Sequence, residues 1–259
     1  MTLLAFQLAL AELSTSLEAC ERVVADPAAA LASYDLTPVE RRRLESAARQ
    51  HGMRVNVSLY RYNRITTLVT VLPGTIHLLG ARARAVVDEF WAGRAPDRNM
   101  RRESEHFAAC VLRMIGEGRL EVPYLRETVE FELARYQVAV APAGPLLAAV
   151  DEAAARWPEG PLALHPLARV AAFTHDPLPL LAHLAWKHPP PYDDVAEGEF
   201  YLLLDYRTGG LEQRPLDLST GRMLHAGSGI DAGAPGAARL LAEGILVRTQ
   251  PAEVAHASR

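Results

Sequence analysis

The sequence has 259 residues, of which 49% are hydrophobic and 22% are charged. That composition is typical of a folded globular protein of about two modest domains and argues against a disordered chain. No apolar run reaches the roughly 20 residues of a membrane helix. The net charge of −4 argues against a general nucleic-acid-binding protein. The two cysteines, Cys20 and Cys110, form no disulfide framework or zinc motif. We therefore expect a cytoplasmic protein without membrane association.

Residues 1–140 are predicted to form a helical bundle domain. Asp26-Pro27 indicates a helix start, with aspartate as N-cap and proline in the first turn. Thr37-Pro38-Val39-Glu40 has the spacing of a capping box and indicates a second start. Further helices are predicted after Pro73-Gly74, before Gly116 and from Pro123.

Residues 53–72 allow two interpretations. Val55, Val57 and Leu59 alternate as in a strand. Helical spacing is instead shared by a longer set, namely Leu59, Tyr62, Ile65, Thr66 and Val69. Since the longer pattern continues up to Pro73, we expect a helix.

The composition changes after residue 140. Residues 141–160, rich in alanine, proline and glycine, are predicted to be a linker with a short helix. Residues 161–250 are predicted to form a winged-helix-like α/β module, and residues 251–259 a flexible tail. The module is expected to contain a strand from Leu164 to Phe173, a helix from Asp176-Pro177 and a β-hairpin around Thr208-Gly209-Gly210. The predicted fold class is therefore α+β.

Catalytic and metal-binding motifs are missing from the sequence. None of the nine histidines belongs to a close ligand set such as His-Glu-x-x-His. His183 and His188 are five residues apart, and Pro189 is expected to end the helix that would align them. Gly227-Ser228-Gly229 follows a predicted helix instead of a strand, which argues against a nucleophile elbow. We assign no catalytic residue and no metal ligand, and expect no cofactor in this chain.

The hairpin offers a candidate peptide-binding site. Its second strand, Leu211 to Leu218, is expected to be an exposed edge that accepts an extended peptide through main-chain hydrogen bonds. Ser219 is expected to cap the next helix, and Pro235 to open the helix that forms an apolar wall beside the strand. The alternative is that the hairpin only completes a core. The predicted peptide-binding residues are Leu211, Gln213, Arg214, Leu216, Leu240 and Leu241.

A candidate protein interface lies in the first 140 residues. Aromatic and guanidinium groups, which are enriched at interfaces, alternate in Tyr60-Arg61-Tyr62-Asn63-Arg64. A helix with one buried face explains the segment equally well. The predicted interface residues are Tyr60, Arg61, Asn63 and Arg64.

Several segments resemble partner proteins of multinuclear non-haem iron-dependent oxidative enzymes, of the kind found in methanobactin biosynthesis. The segment from Leu216 to Val247 is also similar to the recognition elements that bind leader peptides of ribosomally made natural products. The segments that carry the resemblance are Asp26 to Pro38, Asn63 to Gly80, Leu164 to Val170, Asp176-Pro177, Glu199 to Arg207, and Leu216 to Leu246. The sequence departs from the family at Ala141 to Gly160 and around Gly227 to Gly236.

The resemblance implies a non-catalytic subunit. It implies a heterodimer with an iron-containing enzyme, to which the chain presents the leader of a precursor peptide. Iron is then expected in the partner enzyme only.

Two other functions remain open. One is a winged-helix DNA-binding regulator, in which the helix near Pro235 to Ala242 would enter the major groove. That helix offers only Arg239, in a C-terminal part with nine basic and 14 acidic groups from residue 141 onward. The other is a hydrolase whose site is assembled from distant residues.

Overall fold

The structure, a computed structural model, describes residues 3–92, 99–227 and 229–250. It is α+β, with a helical N-terminal region followed by an α/β module that contains a β-hairpin, and the predicted fold class is confirmed. Packing divides the chain into two compact units, Met1–Val69 and Thr70–Arg259. This division differs from the predicted boundaries at residues 140 and 160, which stay predictions. The predicted tail, residues 251–259, lies outside the described residues.

Helices of the first unit begin at capping side chains. Asp26 accepts a hydrogen bond from the Ala29 N–H at 3.0 Å. Thr37 Oγ1 accepts from the Glu40 N–H at 3.2 Å, and the Glu40 carboxylate accepts from the Thr37 N–H at 2.8 Å. Both predicted helix starts are therefore confirmed. The helices are α1 (Leu3–Thr15), α2 (Leu17–Ala25), α3 (Pro27–Ala30), α4 (Pro38–Arg49) and α5 (His51–Val71), of which α5 belongs to this unit as far as Val69.

Helix α5 confirms the helical interpretation of residues 53–72 and is apolar on two faces. Val57 is 2% exposed and packs in a core with residues of α1, α2 and α4. Leu59 and Tyr62, whose spacing indicated the helix, point outward and are 56% and 65% exposed. The outward stripe on α5 consists of Val55, Leu59, Tyr62 and Val69.

The second unit contains the remaining helices. Asp176 caps α11 by accepting from the Leu178 N–H at 3.0 Å, as its position before Pro177 predicts. The helices are α6 (Pro73–Leu79), α7 (Ala83–Trp91), α8 (Met100–Gly116), α9 (Leu125–Ala139), α10 (Ala143–Arg156), α11 (Pro177–Ala185), α12 (Leu218–His225) and α13 (Ala237–Ala242). Among the described residues no single helix is long and apolar enough to cross a membrane. Two pairs of consecutive helices, bent by 113° and 83°, reach that length and apolarity only when they are taken together.

Two antiparallel sheets complete this unit. Strands β1 (Leu162–Leu164) and β5 (Leu246–Arg248) form a pair. Strands β2 (Ala168–His175), β3 (Glu197–Asp205) and β4 (Glu212–Leu216) form a sheet in the order β2-β3-β4. The hairpin β3–β4 was predicted, and its register places Leu204 opposite Gln213 and Leu203 opposite Arg214.

The three-stranded sheet is covered on both faces. Leu203 lies in a buried cluster with Leu224 of α12 and Leu240 of α13. On the other face, Phe173 of β2 contacts Phe131 of α9, with ring centroids 5.7 Å apart. Since successive side chains of a strand point to opposite faces, Arg214 shares the face of α12 and α13, and Gln213 shares the face of α9.

Two local expectations are wrong. Residues 164–173 do not form one strand: β1 ends at Leu164 and β2 begins at Ala168, because Pro166 has no N–H to donate to a ladder. His165 fills the break, where its N–H donates to the Ile245 carbonyl at 2.8 Å. The N-cap of α12 is Asp217 instead of Ser219, and its carboxylate accepts from the Thr220 N–H at 2.9 Å.

Candidate functional site

Strand β4 is an edge of the three-stranded sheet, and no strand beyond it is found in the part of the chain that the structure describes. Proline lies in an edge strand with its nitrogen directed away from the neighbouring strand, because it cannot donate to the ladder. Pro215 is therefore an outward position of β4. Gln213, two residues earlier, is outward too, and its N–H is available at the free edge.

The predicted peptide-binding residues do not form one surface. Gln213 and Arg214 are exposed but belong to opposite faces of the sheet. Leu211, just before β4, and Leu216, its last residue, are half-buried. In α13, Leu241 is half-buried and Leu240 is 0% exposed. Leu240 is therefore part of the core and cannot form the wall of an open groove.

A groove lies on the other face of the sheet, beside Gln213. It has a volume of about 360 Å³ and runs between α6, α9, α11 and β4. We call it the α9–β4 groove. Its apolar lining includes Phe131 and Leu184, and its polar lining includes Glu132, Arg135, Lys187 and Gln213.

Glu132 is the buried acid of this groove, and it connects α9 to α6. Its Oε1 accepts from the Gly74 N–H at 2.6 Å, and its Oε2 accepts from the Thr75 N–H at 2.9 Å and the Thr75 hydroxyl at 2.8 Å. Burial raises the pKa of Glu132 above its usual range, while these hydrogen bonds and Arg135 oppose the rise. Because both oxygens are already bonded, Glu132 has a structural role at the base of the groove.

Lys187 lies at the end of α11 in an unusual backbone conformation. Its N–H donates to the Leu184 carbonyl at 3.1 Å, and the His188 N–H donates to the His183 carbonyl at 3.0 Å. This pair of bonds is a Schellman motif, which places Lys187 at the position where glycine is usual. Its φ of +55° lies in the left-handed region that residues other than glycine rarely adopt.

The two cations of the groove are Arg135 and Lys187. Arg135 has its guanidinium 5.9 Å from the centroid of the Phe131 ring. Within residues 3–92, 99–227 and 229–250, neither Arg135 nor Lys187 forms an ion pair. The groove therefore combines an edge strand, an apolar floor and two positive charges that no acidic side chain of the described chain neutralises by direct contact.

A second cluster corrects the expectation that His183 and His188 are kept apart. Their Nδ1 atoms are 3.1 Å apart, because the turn at Lys187 folds the chain back onto α11. His183 Nε2 also contacts Asp194 Oδ1 at 2.6 Å, and the His183 ring stacks on the Tyr192 ring with the two centroids 4.4 Å apart. In the described residues, no group of three or more His, Cys, Asp or Glu side chains is arranged to hold a metal ion.

The predicted interface residues lie on one stretch of α5 but not on one face of it, because Tyr60 and Arg64 are each two residues, about 200° around the helix, from the outward Tyr62. Asn63 is exposed, whereas Tyr60, Arg61 and Arg64 are half-buried. The Arg64 guanidinium lies 5.7 Å from the centroid of the Tyr60 ring. The exposed aromatic residue of the segment is Tyr62.

Comparison with known proteins gives no assignment: no family model matches this chain, and no curated protein matches its sequence.

Sequence reasoning missed Glu132, Arg135 and Lys187. The first two follow a regular helical pattern and carry no motif. Lys187 did carry a signal, because it is the only lysine in a sequence whose other basic residues are arginines.

Proposed function

We propose that this protein is a non-catalytic partner subunit that binds the leader of a ribosomally made precursor peptide and presents it to an iron-dependent oxidative enzyme. The observation that carries the peptide-binding part is the free edge of β4 beside the α9–β4 groove. An extended peptide can pair with such an edge through main-chain hydrogen bonds, while alternate side chains enter the adjoining groove. The resemblance of several segments to partner proteins of such enzymes supports the rest.

In this proposal the chain contributes binding and the enzyme contributes the iron chemistry. The enzyme docks on the segment that contains Tyr60, Arg61, Asn63 and Arg64. Of these four residues Asn63 is exposed and the others are half-buried, so the apolar contact area comes from the outward stripe on α5, with Tyr62 as an aromatic anchor.

The alternative, a winged-helix DNA-binding regulator, has less support. Helix α13, which would enter the major groove, has six residues. Its Arg239 lies 3.6 Å from Glu243, so its charge is already partnered.

The first test is the set of reading frames next to the gene. They should encode an iron-enzyme homologue and a short, cysteine-containing precursor. Neighbours that encode neither would count against the proposal.

The second test is a titration of the purified protein with a fluorescein-labelled synthetic leader of that precursor. Gln213→Pro removes the outward N–H and should weaken binding by roughly 1 to 3 kcal/mol. Arg214→Pro is the contrasting variant, since its N–H faces β3 and its loss should destabilise the sheet. Unchanged affinity in a Gln213→Pro variant with a wild-type circular dichroism spectrum would place the site away from β4.

A further inference from the structure

We infer that Arg135 and Lys187 form a recognition site for a carboxylate side chain of a bound extended peptide. The ligand class is thus an acidic peptide, and the inference rests on the proposed function, because it needs a peptide strand at β4.

The first support is the position of the two cations. Arg135 and Lys187 line the same 360 Å³ groove as Gln213, on one face of the sheet. A peptide paired with β4 directs every second side chain to that face. A carboxylate at such a position enters the groove between the two cations and makes charge-assisted hydrogen bonds.

The second support is that no acid among the described residues forms a direct ion pair with these cations, although the Glu132 carboxylate and Arg135 act on each other at longer range. Glu132, the buried acid of the groove, has both oxygens bonded to Gly74 and Thr75. By contrast, Arg126 and Arg113 each lie within 4 Å of a glutamate one turn along their helices. The groove therefore keeps a positive charge that a ligand can complement.

The third support is independent of the charges. Lys187 holds a left-handed conformation, with φ of +55°, at a C-terminal helix position that favours glycine. Residues held in unfavourable backbone conformations cluster at functional sites. The strain also gives a test, because Lys187→Gly relieves it and removes the ammonium group in one step.

The probe is an array of 12-residue peptides in matched pairs that differ only by Glu or Gln at a central position. The pairs that bind best are then measured in solution by fluorescence anisotropy. We expect the Glu peptides to bind about tenfold more tightly than their Gln partners, as one charge-assisted contact allows. Arg135→Gln and Lys187→Gly should each remove most of this difference in affinity, because each weakens the Glu peptides more than the Gln peptides.

Two controls separate recognition from folding. Arg126→Gln removes a cation from the same helix, α9, outside the groove, and should leave the Glu-to-Gln ratio intact. Lys187→Gly should melt at the wild-type temperature or higher, so its loss of affinity cannot come from unfolding. Lys187 is also the only lysine, so acetylation with an amine-reactive ester, mapped to Lys187 by mass spectrometry to separate it from the α-amino group, reports on its protection by a bound Glu peptide.

The outcomes distinguish the two proposals. If peptides bind and Gln213→Pro weakens their binding, but Glu and Gln peptides bind with nearly equal affinity, the carboxylate site is refuted while peptide binding at β4 stands. If the Glu peptides still bind more tightly than the Gln peptides in both Arg135→Gln and Lys187→Gly, the carboxylate site is refuted as well. If no peptide binds to the wild-type protein, the peptide-binding part of the proposed function fails as well. If peptides bind but Gln213→Pro changes nothing, the peptide site lies away from β4 and the carboxylate site is refuted with it.

Discussion

Gly221 marks the place where α12 lies closest to the sheet, and its replacement by alanine tests the packing of the module. A Cβ at this position would lie 2.3 Å from Cγ and Cδ2 of Tyr201 and 2.6 Å from its Cβ. Non-bonded carbon atoms pack at about 3.5 to 4.0 Å. The Tyr201 ring is held in place, since the residue is 7% exposed and its hydroxyl donates to Glu199 at 2.6 Å.

The cost follows from this overlap. Either α12 or Tyr201 has to move by about 1 Å to restore normal contacts, and overpacking of this kind costs typically 1 to 3 kcal/mol. Alanine regains about 0.5 to 1 kcal/mol over glycine inside a helix. Because the overlap is large, we take the upper part of the range and expect Gly221→Ala to lower the free energy of unfolding by about 2 kcal/mol.

Urea unfolding followed by circular dichroism measures this difference. Gly116→Ala is the matched control, because Gly116 is also helical and lies in the same unit, and a Cβ added there would meet no described atom within 4 Å beyond its own helix. We expect the control to be neutral or up to about 1 kcal/mol more stable than wild type. Gly221→Ala with wild-type stability would show that α12 does not pack on Tyr201 in this way.

Two further predictions concern burial. Val57→Glu places a charge in the core of the first unit and should lower the free energy of unfolding by at least about 3 kcal/mol or prevent folding. Leu59→Glu, on the outward stripe on α5, should change that free energy by about 0.5 kcal/mol or less. Chemical denaturation of both variants measures the difference. The Nδ1 atom of His165 accepts a hydrogen bond from the Leu167 N–H, and burial lowers the pKa of this imidazole. The neutral imidazole therefore stabilises the fold above its ordinary pKa of 6.5, and this contribution is lost as the pH falls. Thermal melts between pH 8 and pH 5 should show a smaller decline for His165→Asn, whose amide oxygen accepts the same bond without titrating; an equal decline would contradict this assignment.

Local signals in the sequence predicted local structure well. Thr37 and Glu40 form their capping box, because both partners lie within one turn and need no distant contact. The hairpin turn at Gly209 was equally predictable, since its φ of +85° suits glycine. The break at Pro166 could have been predicted too, because a proline there argues against one continuous strand.

Exposure could not be predicted from periodicity alone. In α5, Val57 and Leu68 face inward while Leu59 and Tyr62 face outward, yet all four are apolar or aromatic. A helix that is apolar on both sides carries no sequence signal for which side meets its own core. The outward stripe on α5 became visible only with the packing partners in place.

The pairing of His183 with His188 shows a different limit. Proline at 189 correctly indicated that α11 ends, but a helix end does not separate its flanking residues. The Schellman motif turns the chain back, and Lys187 takes the left-handed conformation that this reversal requires. Since glycine is the usual residue there, a lysine at this position conceals the turn from sequence reasoning.

The location of the groove depends on strand register, which the apolar and polar pattern of β4 does not specify. Its sequence, Glu-Gln-Arg-Pro-Leu, does not alternate between apolar and polar residues, so either face could adjoin α13. A shift of one residue exchanges the faces of Gln213 and Arg214. Pro215 resolves the ambiguity, because its missing N–H makes it an outward position and makes Gln213 outward with it. A peptide strand that pairs at Gln213 continues the same pleat, so its successive side chains go alternately to the α9–β4 groove and to the face of α12 and α13. The groove therefore contacts only every second residue of the peptide, and the acidic residue that Arg135 and Lys187 recognise should occupy one of these positions.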